Sequence, residues 1–371
     1  MARVLITGGA GFIGSHLADE LLQYGHRVKV FDVLCSQVHG AESQCPEYLN
    51  PEVELVFGDV RDRAAVERAL QGSDAVYHFA AAVGVGQSMY EVEHYASIND
   101  IGTAVLLEAL IKRPVERLIV ASSMSIYGEG LYRSRLGAIH PAVERTPAQL
   151  RSGVWDPVDE EGAALQPIPT AESKPPALSS VYALSKYVQE RMCLMIGRAY
   201  NIPTVALRFF NVYGPRQALS NPYTGVLAIF ASRFLNGKTP LIFEDGKQQR
   251  DFVNVRDVVQ ACRLCLDAAA APDKVFNIGS GQAYTVYELA ERMADSLGKN
   301  YLEPQITGKY RVGDIRHCFA DIGLARSVIG YTPRVTLDNG IVELADWLEG
   351  RIACDQVDSA SAELAARGLT L

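Results

Sequence analysis

Tyr182 and Lys186 stand four residues apart in Ser180-Val-Tyr-Ala-Leu-Ser-Lys186. On a helix that spacing puts both side chains on one face, so the ammonium can lie beside the phenol and favour its ionised form. A phenol with an ordinary pKa near ~10 then becomes a base usable near neutral pH. Such a pair also occurs on many surface helices, and its company decides what it means. Here it lies downstream of Thr7-Gly-Gly-Ala-Gly-Phe-Ile-Gly14, and together they point to hydride chemistry.

Gly8, Gly11 and Gly14 fall between a strand-like Arg3 to Thr7 and a stretch in which Phe12, Ile13, Leu17, Leu21 and Leu22 recur at helical spacing. In that setting glycines allow a tight turn, close approach of a pyrophosphate and close packing of helix on strand. The helix that Phe12 and Ile13 open offers unpaired amides and a positive dipole end to the diphosphate. Asp32 ends the second strand, 18 residues after Gly14, where a carboxylate can accept both adenosine ribose hydroxyls. This selects NAD, because a ribose 2'-phosphate would meet like charge; Arg27 is the basic residue nearby. Asp59-Val60, after a third strand, is placed to meet the adenine edge, the alternative for Asp59 being a helix N-cap. Phe79-Ala80-Ala81 ends the fourth strand with small residues that let the backbone approach the cofactor.

These residues need a scaffold, and the first 210 residues alternate β-branched runs with amphipathic stretches, the pattern of a parallel sheet wrapped by helices. Six strands are expected: Arg3 to Thr7, Arg27 to Asp32, Glu54 to Phe57, Ala75 to Ala80, Arg117 to Ser122 and Thr204 to Phe209. The fold class is therefore α/β, a Rossmann-type doubly wound parallel sheet with a smaller α/β substrate-binding domain. The expected division is 1–208 with 252–281 for the cofactor, 209–251 with 282–350 for the substrate, and a tail from 351. Residues 129 to 178 break the rhythm with seven prolines and no sustained periodicity, and read as an irregular insertion inclined to act as a lid.

A chain of 371 residues, 48% hydrophobic, can bury a large core. Its formal charge of -8 disfavours nonspecific nucleic-acid binding, which needs a basic field. Nothing approaches a run of ~18 apolar residues, so no membrane partner is expected, and the opening strand leaves no room for a signal peptide, so the cytoplasm is. Seven scattered cysteines lack framework spacing, and Cys262-Arg-Leu-Cys265 sits in an apolar helical pattern without a second ligand pair. No metal is expected.

Six ordered motifs carry a resemblance to the extended short-chain dehydrogenase/reductase family, specifically its nucleotide-sugar epimerases and dehydratases. They are Thr7 to Gly14, His78-Phe-Ala-Ala81, Ser122-Ser-Met-Ser-Ile-Tyr-Gly128, Tyr182 with Lys186, Arg208-Phe-Phe-Asn-Val-Tyr-Gly-Pro-Arg216 and Arg250-Asp-Phe-Val-Asn-Val-Arg-Asp257. The resemblance implies that Tyr182 removes the proton of the reacting sugar hydroxyl, that Ser123 hydrogen-bonds that hydroxyl, and that Lys186 binds the nicotinamide ribose. It adds Asn99, Ser122 and Phe209 to the cofactor residues. Independently, a serine and tyrosine beside a dinucleotide suit a step in which an oxygen loses a proton as its carbon loses hydride.

Positions 124 and 125 discriminate among chemistries. By resemblance, dehydratases carry an Asp-Glu pair there, decarboxylases a Glu at the second place, and reductases or 3,5-epimerases often a cysteine; this chain has Met124 and Ser125. Reversible oxidation without diversion remains, which is 4-epimerization. The resemblance further implies substrate contacts from Ser88, Asn211, Leu241, Phe243, Arg250, Arg311 and Asp314, two arginines from separate loops suiting the two sides of a diphosphate. The 217–225 block and the long segment after Gly128 resemble epimerases of dTDP-6-deoxyhexoses such as dTDP-L-rhamnose. UDP-glucose or UDP-glucuronate epimerase, a decarboxylase and a nonenzymatic NAD sensor are the alternatives. A homodimer through helices near 91–112 and 181–200 is expected by resemblance.

Overall fold

The computed structural model describes residues 1–40, 44–141, 143–218, 225–311, 313–349 and 357–370. Seven strands form its central sheet: β1 (Arg3–Thr7), β2 (Arg27–Asp32), β3 (Glu54–Phe57), β4 (Ala75–His78), β5 (Arg117–Ser123), β6 (Thr204–Phe209) and β7 (Val275–Ile278). Their order is β7-β6-β5-β4-β1-β2-β3, every pairing parallel. The order reverses at β1 and β4, so the chain leaves these two strands in opposite directions and opens a crevice at their carboxyl ends. Gly8, Phe79 and Ala80 stand there.

Alternation explains why these runs are strands. In β1, Val4 and Ile6 enter one core while Leu5 enters the other, as a period of two requires in a sheet covered on both faces. Helices α1 (Phe12–Gln23) and α5 (Val255–Asp267) cover the first face; α2 (Gly102–Lys112) and α3 (Val181–Ala199) cover the second. Cys262 and Cys265 are fully buried on the inner side of α5. A third core joins α4 (Val226–Leu235), α6 (Val286–Ser296) and α7 (Leu337–Leu348) around Phe230, Phe234, Met293 and Ile341. Phe252 packs in this third core while its neighbour Val253 packs in the first.

Two boundaries differ from expectation, and one strand was not expected. The fourth strand ends at His78 rather than Ala80, because Phe79 donates to the Thr7 carbonyl and the Ala80 amide turns to Thr7 Oγ1 at 3.3 Å. The fifth extends to Ser123, in register with Phe209. The seventh strand carries only four residues with Asn277 in the middle, too short and polar to stand out by pattern.

The 129–178 segment is more ordered than its prolines suggest. Leu131–Arg133 pairs antiparallel with both Ile139–His140 and Gln166–Ile168, and Pro147–Arg151 forms a short helix capped by Thr146. Ion pairs fasten it: buried Arg145 reaches Glu129 and Glu244, and buried Arg316 reaches Glu244 and the half-exposed Asp156 and Asp245. Thr170 exchanges backbone hydrogen bonds with Phe319 and Asp321, and Lys174 Nζ donates to the Tyr127 carbonyl at 2.7 Å. In place of the expected irregular insertion stands a folded unit tied to the rest of the fold at both ends. The tail contributes α8 (Val357–Ala366), whose Asp358 pairs with Arg233 and Lys238. No helix among the described residues is long and apolar enough to cross a membrane.

Candidate active site

The glycine loop is built for close approach. A Cβ on Gly8, which has φ +70°, would stand 2.7 Å from the Ala80 nitrogen, and one on Gly14 would stand 2.5 Å from the Gly8 carbonyl oxygen. Gly11 differs: its Cβ would meet nothing nearer than 3.4 Å, and no side chain caps the helix that begins after it. The first-turn amides of α1, with Phe12 and Ile13 half-buried, therefore have no capping side chain, the arrangement that suits a diphosphate. Asp32 stands at the end of β2. Its carboxylate accepts the Ala10 amide at 3.0 Å and the Leu34 amide at 2.9 Å, and His39 Nε2 lies 4.0 Å away. Burial lowers the pKa of His39, opposed by Asp32. These residues fit NAD: Asp32 would hold the adenosine ribose, and Gly8, Gly11 and Gly14 would let the diphosphate approach.

Asp59 is gripped by Arg61 through several hydrogen bonds, 2.6 Å for the shortest, and it does not cap a helix; Asp62 caps Arg63–Ala69 instead. Val60 is buried against Gly102. Half-buried Phe79, Ala80 and Ala81 line the crevice, and the Phe79 ring packs edge-on against Tyr77 and Phe209.

Ser123 ends β5, and Tyr182 lies in the first turn of α3, which Ser180 caps through the Ala183 amide. Ser123 acts on the Tyr182 phenol in the direction that favours its ionised form, and both residues are half-buried. Ser125, which motif reading treated only as the lack of an acid, has a role of its own. Its amide and its hydroxyl, the latter at 2.8 Å, both donate to Ser123 Oγ. Ser123 Oγ thus accepts from behind, and its own proton is left to point toward the phenol oxygen or a substrate oxygen.

Lys186 departs from expectation. It is buried one turn below Tyr182, and its Nζ donates to Gln189 Oε1 at 2.6 Å rather than lying against the phenol. Burial pushes the Tyr182 pKa up, with Ser123 opposing, and pushes Lys186 down to about 8. The hydrogen bond from Nζ is spent on the glutamine in this arrangement, while the ammonium stays on the helix that carries the phenol.

Three expected contact residues prove structural. Ser88 is fully buried; its hydroxyl donates to the Val85 carbonyl and accepts the Tyr182 amide at 3.0 Å, so it holds the start of α3 and not a sugar. Asn99 is equally buried, its amide exchanging hydrogen bonds with the Ala82 backbone and donating to Ser185 at 2.9 Å. Its side chain ties the crevice loop to α3, and both of its amide protons are spent on that tie. Ser122 Oγ donates to Glu190 at 2.7 Å, away from the crevice.

The candidate substrate residues form two pairs. The Arg311 guanidinium lies 4.5 Å over the Phe243 ring, and its buried Nε has no hydrogen-bond partner. Arg250 donates to the carbonyls of Gln249, Ile315 and Arg316 and stands 3.6 Å from Asp314. The 311–314 loop reaches the catalytic helix, since a Cβ on Gly313 would stand 3.1 Å from the Ser179 carbonyl oxygen. Half-buried Asn211 turns its amide nitrogen to the Asp251 carbonyl at 2.9 Å, and Leu241 pairs with Gln305. Of the 217–225 block, residues 219–224 lie outside the described residues.

Comparison with known proteins agrees with this geometry. Residues 4–279 match the model of the NAD dependent epimerase/dehydratase family. The chain is 36% identical to a dTDP-L-rhamnose 4-epimerase of Burkholderia thailandensis, covering 93% of this chain and 94% of that one. It is 31% identical to a putative UDP-glucose 4-epimerase of Methanocaldococcus jannaschii, covering 93% and 98%. A crystal structure of Thermotoga maritima UDP-glucose 4-epimerase with UDP-glucose superposes with a TM-score of 0.76 at 31% identity, covering 93% and 98%. The glycine loop, Asp32 and the serine, tyrosine and lysine brought together at the sheet's carboxyl edge thus have their explanation: the chain belongs to the NAD-dependent epimerase/dehydratase family of extended short-chain dehydrogenase/reductase enzymes.

Proposed function

We propose that this enzyme is a nucleotide-sugar 4-epimerase acting on a dTDP-6-deoxyhexose, dTDP-L-rhamnose in the first instance. The observation that carries the chemistry is Ser123, held by the Ser125 amide and hydroxyl and favouring the ionised Tyr182 phenol, with no carboxylic acid and no thiol at positions 124 and 125. Tyr182 accepts the proton of the sugar 4-hydroxyl, Ser123 holds that oxygen, and Tyr182 returns the proton after the keto sugar has presented its other face. NAD, when bound, supplies the redox chemistry by taking up a hydride and giving it back, so the enzyme needs no external oxidant. The Burkholderia relative supports the choice of sugar, while relatives named for UDP-glucose support the rival.

Purified enzyme incubated separately with dTDP-L-rhamnose, UDP-glucose and UDP-glucuronate, followed by NMR of the C4 proton coupling, tests the substrate. Inversion of the dTDP sugar is expected. Inversion of a UDP-hexose alone would sink the rhamnose assignment. We also infer a homodimer, supported by exposed Val92, Ile101, Leu184 and Met195 along the two expected helices; a monomer by light scattering would refute it.

A further inference from the structure

Lys186 is held by a side chain with no part in the reading above. Gln189 follows it by one helical turn, is wholly buried, and accepts from Nζ at 2.6 Å. Its Nε2 donates to Thr103 Oγ1 at 2.8 Å and lies 3.3 Å from His78 Nε2. Thr103 donates to the Asn99 carbonyl at 2.5 Å and stands 2.8 Å from His78 Nε2. With the Thr103 proton committed to Asn99, His78 satisfies its neighbours by carrying its proton on Nε2 and accepting from Thr7 Oγ1 on Nδ1, at 2.8 Å. Thr7 in turn accepts the Ala80 amide. One buried chain of hydrogen bonds therefore runs from Ala80, behind the glycine loop, to the Lys186 ammonium.

No neighbouring group duplicates that role. Glu190 is taken up by Arg208 and Ser122. The other titratable groups facing the ammonium are Cys193 on α3, Asp100 on the π-helical turn Ala96–Ile101, and His78 on β4. Asp100 keeps a buried Oδ1 without a hydrogen-bond partner. A lysine has four rotatable bonds on a flexible stem, so a catalytic ammonium needs something that selects one placement.

We propose that Gln189 is a positioning residue: its amide fixes the Lys186 ammonium and, through Thr103 and His78, registers it against the strand ends that carry the glycine loop. This rests on the reading of Lys186 as the partner of Tyr182 and of the cofactor ribose. Gln189→Leu removes the acceptor, and Gln189→Glu keeps an acceptor while adding a negative charge beside the ammonium.

The experiment compares both variants as NAD-loaded enzymes, reading kcat against pH and the fraction of NAD retained on dilution, measured after acid release. Gln189→Leu is expected to lower kcat about tenfold and to move the alkaline limb down by about one pH unit, because a hydrogen bond favouring the charged amine is lost. Gln189→Glu should move that limb up, and it should retain more NAD than the leucine variant. Limbs that move the same way or stay in place, with unchanged NAD retention, overturn the proposal. If the leucine variant does not fold, an unshifted limb in the nearly isosteric glutamate variant overturns it alone. A Tyr182→Phe control separates the two readings: full turnover there sinks the catalytic assignment itself, whereas its loss beside unaffected Gln189 variants sinks only this inference.

Discussion

Arg208 on β6 holds Glu190 on α3 through two hydrogen bonds of 2.7 and 2.9 Å, with both residues buried. The pair stands one turn beyond Lys186 and accepts the Ser122 hydroxyl, so it joins the strand end bearing Ser123 to the helix bearing Tyr182. Removing one partner leaves the other as an uncompensated buried charge, a loss of about 3–5 kcal/mol. Glu190→Ala should therefore lower unfolding stability by that amount in denaturant titration. A loss below about 1 kcal/mol, the range of an exposed pair, would show that the pair is not an anchor.

Ser125 acts through Ser123. Without its hydroxyl, Ser123 Oγ keeps only the backbone donor and can rotate its proton away from the phenol. Ser125→Ala is expected to lower kcat by about three- to tenfold, the worth of one ordinary hydrogen bond, with little change in KM. Ser123→Ala should cost considerably more. Equal losses in steady-state assays would contradict the hierarchy.

Of the two arginines proposed for the diphosphate, Arg250 is already engaged by three backbone carbonyls while Arg311 Nε is unpaired, so the proposal falls on Arg311 first. Arg311→Ala should raise KM by about 10- to 100-fold, as expected for a lost charge-assisted hydrogen bond, and leave kcat within a few fold. An unchanged KM would move the clamp elsewhere.

The insertion should release in acid. His317 and Arg316 hydrogen bonds hold the Asp156 carboxyl well below its usual range. Its contribution to stability is therefore fully present above the ordinary carboxylate pKa and is lost as pH falls through the depressed folded value. Trp155, adjacent to Asp156 and tilted against Tyr310 at 6.2 Å, reports the release by fluorescence. Arg316→Met, which takes an ion-pair partner from Asp245 and one of two from Glu244 as well, should bring the same change on at higher pH. A Trp155 signal constant down to global unfolding would contradict this.

The elements and residues that belong to local pattern were legible in the chain. Val4, Leu5 and Ile6 alternate between two cores, and the glycine spacing fixes where the phosphate loop turns, so the sheet and Gly8 to Gly14 follow from short stretches of sequence. Ser88 and Asn99 were misplaced because a small polar residue near a site looks the same whether it faces ligand or backbone; only burial separates the cases. Gln189 and Ser125 could not be found by motif, since their roles depend on partners supplied by β4, α2 and the strand end. The ion network of Arg145 and Arg316 joins residues more than 70 positions apart, beyond any periodicity. A proline-rich stretch held by ion pairs to distant residues therefore reads as irregular.

The most direct test of the central claim uses a dTDP-L-rhamnose substrate deuterated at carbon 4, with wild-type and Tyr182→Phe enzyme in ordinary water. The account predicts that wild-type enzyme inverts carbon 4 with the deuterium retained on it, and that Tyr182→Phe loses about 10²- to 10⁴-fold in rate, the usual worth of a general base, while still holding NAD. Washout of the label into solvent, or a Tyr182→Phe enzyme that inverts carbon 4 at the wild-type rate, would contradict it.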